Sequence, residues 1–130
     1  MGQVSNKLRR VEGGYSYWCQ GCEEVHSVRT DGDAAVWSFD GNLEAPTFSP
    51  SVLTTSGHYL SDHKPGDKCW CTYAAEHPDR PAHFKCRRCH TFIKGGIVQF
   101  LSDCSHALAG QTLPLPDLPD ELRDKSFVRT

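Results

Sequence analysis

Seven cysteines and seven histidines in 130 residues are the first feature of this sequence that can do chemistry. Cys19-Gln20-Gly21-Cys22 and Cys86-Arg87-Arg88-Cys89 are C-x-x-C pairs. Such a pair folds into a tight turn that aims both sulfurs at one point, and two pairs complete a tetrahedral thiolate site for zinc. Gly21 suits a turn of that kind. The expected ligands are therefore Cys19, Cys22, Cys86 and Cys89, holding a structural zinc. The pairs lie further apart than in a compact zinc ribbon, so the metal would clip the start of the chain to its last third. His26, Cys69, Cys71, Cys104 and His106 are alternative ligands, and His90 adjoins Cys89. An odd cysteine number and an N-terminus without an apolar export segment argue against a disulfide framework. A redox C-x-x-C would need a βαβ pattern beside it, and none is visible.

A second group of residues suits acyl transfer. Ser51 lies between Pro50 and Val52, and His90 opens an apolar run directly after Cys89. A serine hydroxyl is a poor nucleophile until a neighbouring base takes its proton. Spacing alone favours a plainer reading, in which Ser51 makes a turn hydrogen bond and His90 binds zinc or packs. Asp103-Cys104-Ser105-His106 crowds four reactive side chains together. Neighbours on a strand point to opposite faces, so the favoured reading is a turn in which Asp103 caps a short helix. His106 stands second to His90 as a base, and no acidic third partner is evident. Catalytic zinc is the weakest reading, because neither H-E-x-x-H nor the H-x-E with P-C-x-x-C of deaminases occurs.

The elements that must position these groups read as short antiparallel strands. Tyr15–Trp18 and Val25–Val28 alternate with period two on either side of the first C-x-x-C, which predicts two strands joined by a metal knuckle. Ala35–Phe39 is a third strand, ended by Asp40-Gly41-Asn42. Pro46–Leu53 is bracketed by prolines and is expected to be an edge strand or a rigid loop. Thr54 to about His83 is a long irregular excursion, with one helical turn at Tyr73–His77. His90–Ile93, Gly95-Gly96 and Ile97–Leu101 form the clearest hairpin. His106–Ala109 is a helical turn capped by Gly110. Leu113–Pro119 is extended and leads into a short helix at Asp120–Arg123. The fold expected is a single small β-rich domain, mainly antiparallel, with few short helical turns and a zinc knuckle. Its core covers about residues 14–110, and a Pro-rich tail covers 111–130.

Composition narrows the function. Only 38 % of residues are hydrophobic, a thin supply for a small core, and a structural zinc would add about 10–16 kcal/mol. With 14 Lys+Arg against 16 Asp+Glu the formal net charge is −2, which argues against nucleic acid as a partner, including through Lys85, Arg87 and Arg88. No apolar run approaches the ~20 residues that cross a bilayer, so the expectation is a cytoplasmic protein without a membrane partner.

Several segments taken together resemble one family. They are Trp18-Cys19-Gln20-Gly21-Cys22 with His26, Trp37-Ser38-Phe39-Asp40-Gly41, Pro46-Thr47-Phe48-Ser49-Pro50-Ser51-Val52, Cys89-His90-Thr91-Phe92-Ile93, and Phe100 to Gly110. The resemblance runs from about Tyr15 to Pro119. The family is a small one long carried as a domain of unknown function, common in phage and prophage genomes and often labelled "ammonia monooxygenase". No copper or di-iron constellation supports that label. Relatives occur in bacterial operons that resemble ubiquitination pathways, where the family implies a serine peptidase with a Ser–His dyad. Carried over on the Pro-Ser-Val and His-Thr-Phe-Ile segments, the dyad is Ser51 and His90. The substrate implied is a protein or peptide, and a ubiquitin-like protein tail in particular. The alternative is a non-catalytic zinc-binding phage or prophage protein that captures a host protein. Cys69-Trp70-Cys71 and Cys86 depart from the plainer family pattern.

Overall fold

A computed structural model describes residues 2–33, 36–80 and 85–125. Among these residues the chain forms two antiparallel sheets, one α-helix and two separate 3-10 turns. The first sheet is β1 (Gly2–Gln3), β2 (Arg9–Val11), β3 (Gly14–Cys19) and β4 (Glu24–Arg29), hydrogen-bonded in that order. The second is β5 (Ser38–Phe39), β6 (Phe48–Ser56), β7 (Arg87–Lys94), β8 (Ile97–Phe100) and β9 (Thr112–Pro114), also in sequence order.

The expected knuckle is present. β3 and β4 pair from Gly14↔Arg29 to Cys19↔Glu24, and the chain reverses through Gln20–Glu23. The amide of Glu23 donates to the Cys19 carbonyl at 2.7 Å, which closes the turn. The β7–β8 hairpin is also as expected, with Gly95 and Gly96 at φ 57° and 75°. Consecutive positive φ values define the type I′ turn that matches strand twist, and glycine adopts them without steric cost.

The proline-bracketed segment departs from expectation. β6 is an interior strand between β5 and β7, neither an edge nor a loop. Pro50 has no N–H to give a ladder, and interior prolines are tolerated at bulges. The β6–β7 register breaks accordingly between Phe48 and Val52, then resumes as Val52↔Thr91 and Leu53↔His90. Ser51 stands in that break. β6 also runs on to Ser56, so the irregular excursion starts at a 3-10 turn over Gly57–Tyr59. The helical turn expected near Tyr73 is α1, Trp70–Glu76, and the short C-terminal helix is a 3-10 turn at Asp120–Leu122. The third strand is shorter than expected; Ala35 and His83, the ends of two expected segments, lie outside the described residues.

The core lies between the sheets. Tyr17 and Val28 from the first, with Leu8 from the β1–β2 connection, meet Phe48, Val52, Ile93, Val98 and Phe100 from the second and Leu115 from the segment after β9. The Phe48 ring stacks 5.0 Å from Phe39 and 6.3 Å from Tyr17. Leu118 is fully buried as well, and its amide donates to the Asn6 carbonyl at 2.8 Å. No helix among the described residues is long and apolar enough to cross a membrane.

Candidate active site and metal centre

β7 carries both sites because a strand alternates its faces. Cys89, Thr91 and Ile93 point inward and are buried; His90 and Phe92 between them point outward. Cys89 and His90 are adjacent in sequence but serve opposite sides of the sheet.

On the outer side, His90 Nε2 lies 2.9 Å from Ser51 Oγ. Leu53 is the direct cross-strand partner of His90, so Ser51 reaches the imidazole on the diagonal, within the range of a long side chain. The other ring nitrogen, Nδ1, lies 3.3 Å from Asp103 Oδ2. An ionised carboxylate only accepts hydrogen bonds, so Nδ1 carries the proton and Nε2 is free to accept from the serine hydroxyl. Asp103 does not cap a helix: its carboxylate sits on His90, a contact that the sequence did not reveal. Two further groups hold the pair. The Trp37 indole N–H donates to the Ser51 carbonyl at 3.1 Å. The Cys104 thiol accepts from the His90 amide at 3.2 Å and donates to the His90 carbonyl at 3.3 Å. A groove runs past Pro50, Phe92, Ile97 and Gln99, with Phe92 and Ile97 exposed; Pro50 precedes Ser51 in the chain, but neither Ser51 nor His90 lines it. A larger hollow in the excursion is lined by neither Ser51 nor His90.

On the inner side, Cys19, Cys22, His26 and Cys89 are all buried, and their ligand atoms lie within 4.8 Å of one another. Cys19 Sγ and Cys89 Sγ are 3.8 Å apart. A tetrahedron with Zn–S bonds of about 2.3 Å has an edge of about 3.8 Å. His26 Nε2 is buried without a hydrogen-bond partner among the described residues, a state that costs free energy unless the nitrogen binds something. The donor set therefore fits a metal ion. The thiols are coupled: Cys19 is lowered, chiefly by its hydrogen bonds with Cys22 and Cys89, while Cys22 is pushed up to about 12 and Cys89 is raised, both chiefly by Cys19. A bound dication would allow all three to ionise. Arg87 ties the knuckle to β7, donating to the Cys22 carbonyl at 2.8 Å and pairing with Glu24 at 3.0 Å.

Cys86 is not part of this cluster, which corrects the expected four-cysteine set. Cys86 and Cys89 lead into and lie on an extended strand rather than a turn. At about 3.3 Å of rise per residue, their positions are roughly 10 Å apart. The Cys86 thiol groups instead with His58, Cys69 and Cys71. His26 takes the fourth place because Tyr17↔His26 pairing puts it on the inner face of β4, beside the knuckle. His106 is not near Ser51 either. Its Nδ1 accepts from the Leu108 amide at 3.2 Å, so Nε2 carries the proton, 3.4 Å from Cys89 Sγ. Burial lowers its pKa and favours this neutral form. Its ligand nitrogen lies within 4.8 Å of the Cys89 and Cys104 thiols, and the three form a third group able to hold a metal, which shares Cys89 with the inner cluster.

The family model for the bacterial ubiquitination-like system serine protease (BubE) matches residues 2–101. The chain belongs to the BubE family. No curated protein and no solved structure matches it. The match includes both Ser51 and His90 and the whole inner cluster; Asp103 and Cys104, which touch His90, lie just beyond it.

Proposed function

We propose that the protein is a serine protease of a ubiquitination-like system, that it cleaves at the tail of a ubiquitin-like protein, and that Ser51, His90 and Asp103 carry the reaction. The reading rests on one observation above all: the 2.9 Å approach of His90 Nε2 to Ser51 Oγ with a carboxylate on the far nitrogen. His90 accepts the Ser51 proton as Oγ attacks the scissile carbonyl. Collapse of the tetrahedral intermediate breaks the C–N bond, and His90 returns the proton to the leaving amine. Water, deprotonated by His90, then attacks the acyl-enzyme; the C–O bond to Ser51 breaks, His90 returns the proton to Ser51 Oγ, and the new carboxylate is released. Asp103 holds the imidazole in the required tautomer and stabilises its protonated form. The groove along Pro50, Phe92 and Ile97 offers apolar surface to an extended peptide tail.

Cys19, Cys22, His26 and Cys89 would hold a structural zinc ion. Four protein ligands leave no open position for water, so its part is to brace β7 from inside while His90 works outside. The test uses a ubiquitin-like protein bearing a C-terminal extension. Wild type should release the extension; Ser51→Ala should lose at least 10³-fold in rate while keeping its zinc. Unchanged cleavage by Ser51→Ala would overturn the assignment.

A further inference from the structure

We propose that His58, Cys69, Cys71 and Cys86 form a second metal site, a zinc-binding Cys₃His centre that staples the excursion between β6 and β7. It is independent of the protease reading and of the inner cluster.

The four ligand atoms come from three separate pieces of chain: the 3-10 turn, the start of α1, and the residue before β7. All lie within 4.8 Å of one another. His58 Nδ1 and Cys71 Sγ are 3.9 Å apart, close to a tetrahedral edge of about 3.6 Å for zinc with mixed nitrogen and sulfur ligands. Three thiolates and an imidazole are a donor set that selects zinc among common divalent ions. The backbone makes room for it. Gly57 has φ 61°, and a Cβ there would stand 2.3 Å from Cys86 Sγ. The site thus requires glycine both for conformation and for the approach of the thiol. Thr72 fixes the Cys69 backbone, its hydroxyl accepting from the Cys69 amide at 2.8 Å and donating to the Cys69 carbonyl at 2.7 Å.

The excursion needs such a staple. No residue from 57 to 80 is buried. A seven-residue helix is too short to persist by its own hydrogen bonds, and α1 has no buried face to hold it. Among the described residues, Arg88 of β7 stacks 5.0 Å over the Tyr59 ring of this segment. A structural metal supplies the missing free energy in segments that cannot build a core.

The test is zinc stoichiometry by elemental analysis of the full chain, purified with zinc present. Wild type should hold two ions and the Cys69→Ser/Cys71→Ser variant one. Trypsin should then cut the variant faster than wild type after the exposed Lys68, while reactivity at Ser51 is unchanged. A wild type with one ion and a variant with none would place the metal at this site and count against the inner one. A wild type with one ion and a variant that keeps that ion would overturn the proposal. So would equal stoichiometry in both proteins, or a disulfide among Cys69, Cys71 and Cys86 in the purified chain.

Discussion

At the scale of single residues, the groups around His90 divide by what each touches. Ser51 and His90 were legible in the sequence only through family resemblance, because nothing in their spacing brings them together. Asp103 was not legible. A short carboxylate ahead of Ser105 and Gly110 has the same signature whether it caps a turn or reaches back across a sheet edge to a histidine. Its role predicts a specific kinetic change. Asp103→Asn should lower kcat by about 10²- to 10⁴-fold with little change in KM, because the amide can donate to Nδ1 and favour the wrong tautomer. Steady-state kinetics on the extended ubiquitin-like substrate would measure it. A change confined to KM would assign Asp103 to substrate binding instead. Cys86 shows the opposite failure: the C-x-x-C spacing was plain, but that motif pairs its sulfurs only in a turn, and here it runs into an extended strand.

At the scale of elements, the knuckle and the central hairpin were readable because period-two patterns and glycine turns are local signals. The interior place of β6 was not, since proline normally marks an edge; the bulge that accommodates Pro50 is visible only once β7 is paired. That bulge also frees Ser51 from the regular ladder, in keeping with the frequent placement of bulges beside active sites. The knuckle predicts a close-packing cost. A Cβ on Gly21 would meet the His106 ring at 2.3 Å, and that ring is itself held against Cys89 and Phe100. Gly21→Ala should therefore displace His106 and destabilise the fold by roughly 1–3 kcal/mol. Urea unfolding monitored alongside zinc release would register it, whereas unchanged stability would show that the ring moves aside freely.

At the scale of the whole molecule, the ends of the chain close the core. Leu8, Leu115 and Leu118 are almost completely buried, and Asp124 bridges back to Arg9 at 2.6 Å and to the Gln3 amide at 2.7 Å. The tail looked merely extended in sequence because proline-rich leucines carry no strand or helix period to show which surface they cover. Leu118→Ala should cost about 2–5 kcal/mol by leaving a cavity, measured as a lower urea midpoint. A midpoint unchanged by that substitution would mean the tail does not dock. The two faces of β7 unify the account: a metal-fitting cluster fixes the strand from inside, and the same strand presents His90 to Ser51 outside. The most direct test is labelling with a fluorophosphonate, read by intact mass, on wild type and Ser51→Ala with zinc content measured in both. The account predicts one adduct on wild type, none on Ser51→Ala, and equal zinc. A folded, zinc-loaded wild type that takes no label, or a label that persists without Ser51, would contradict it.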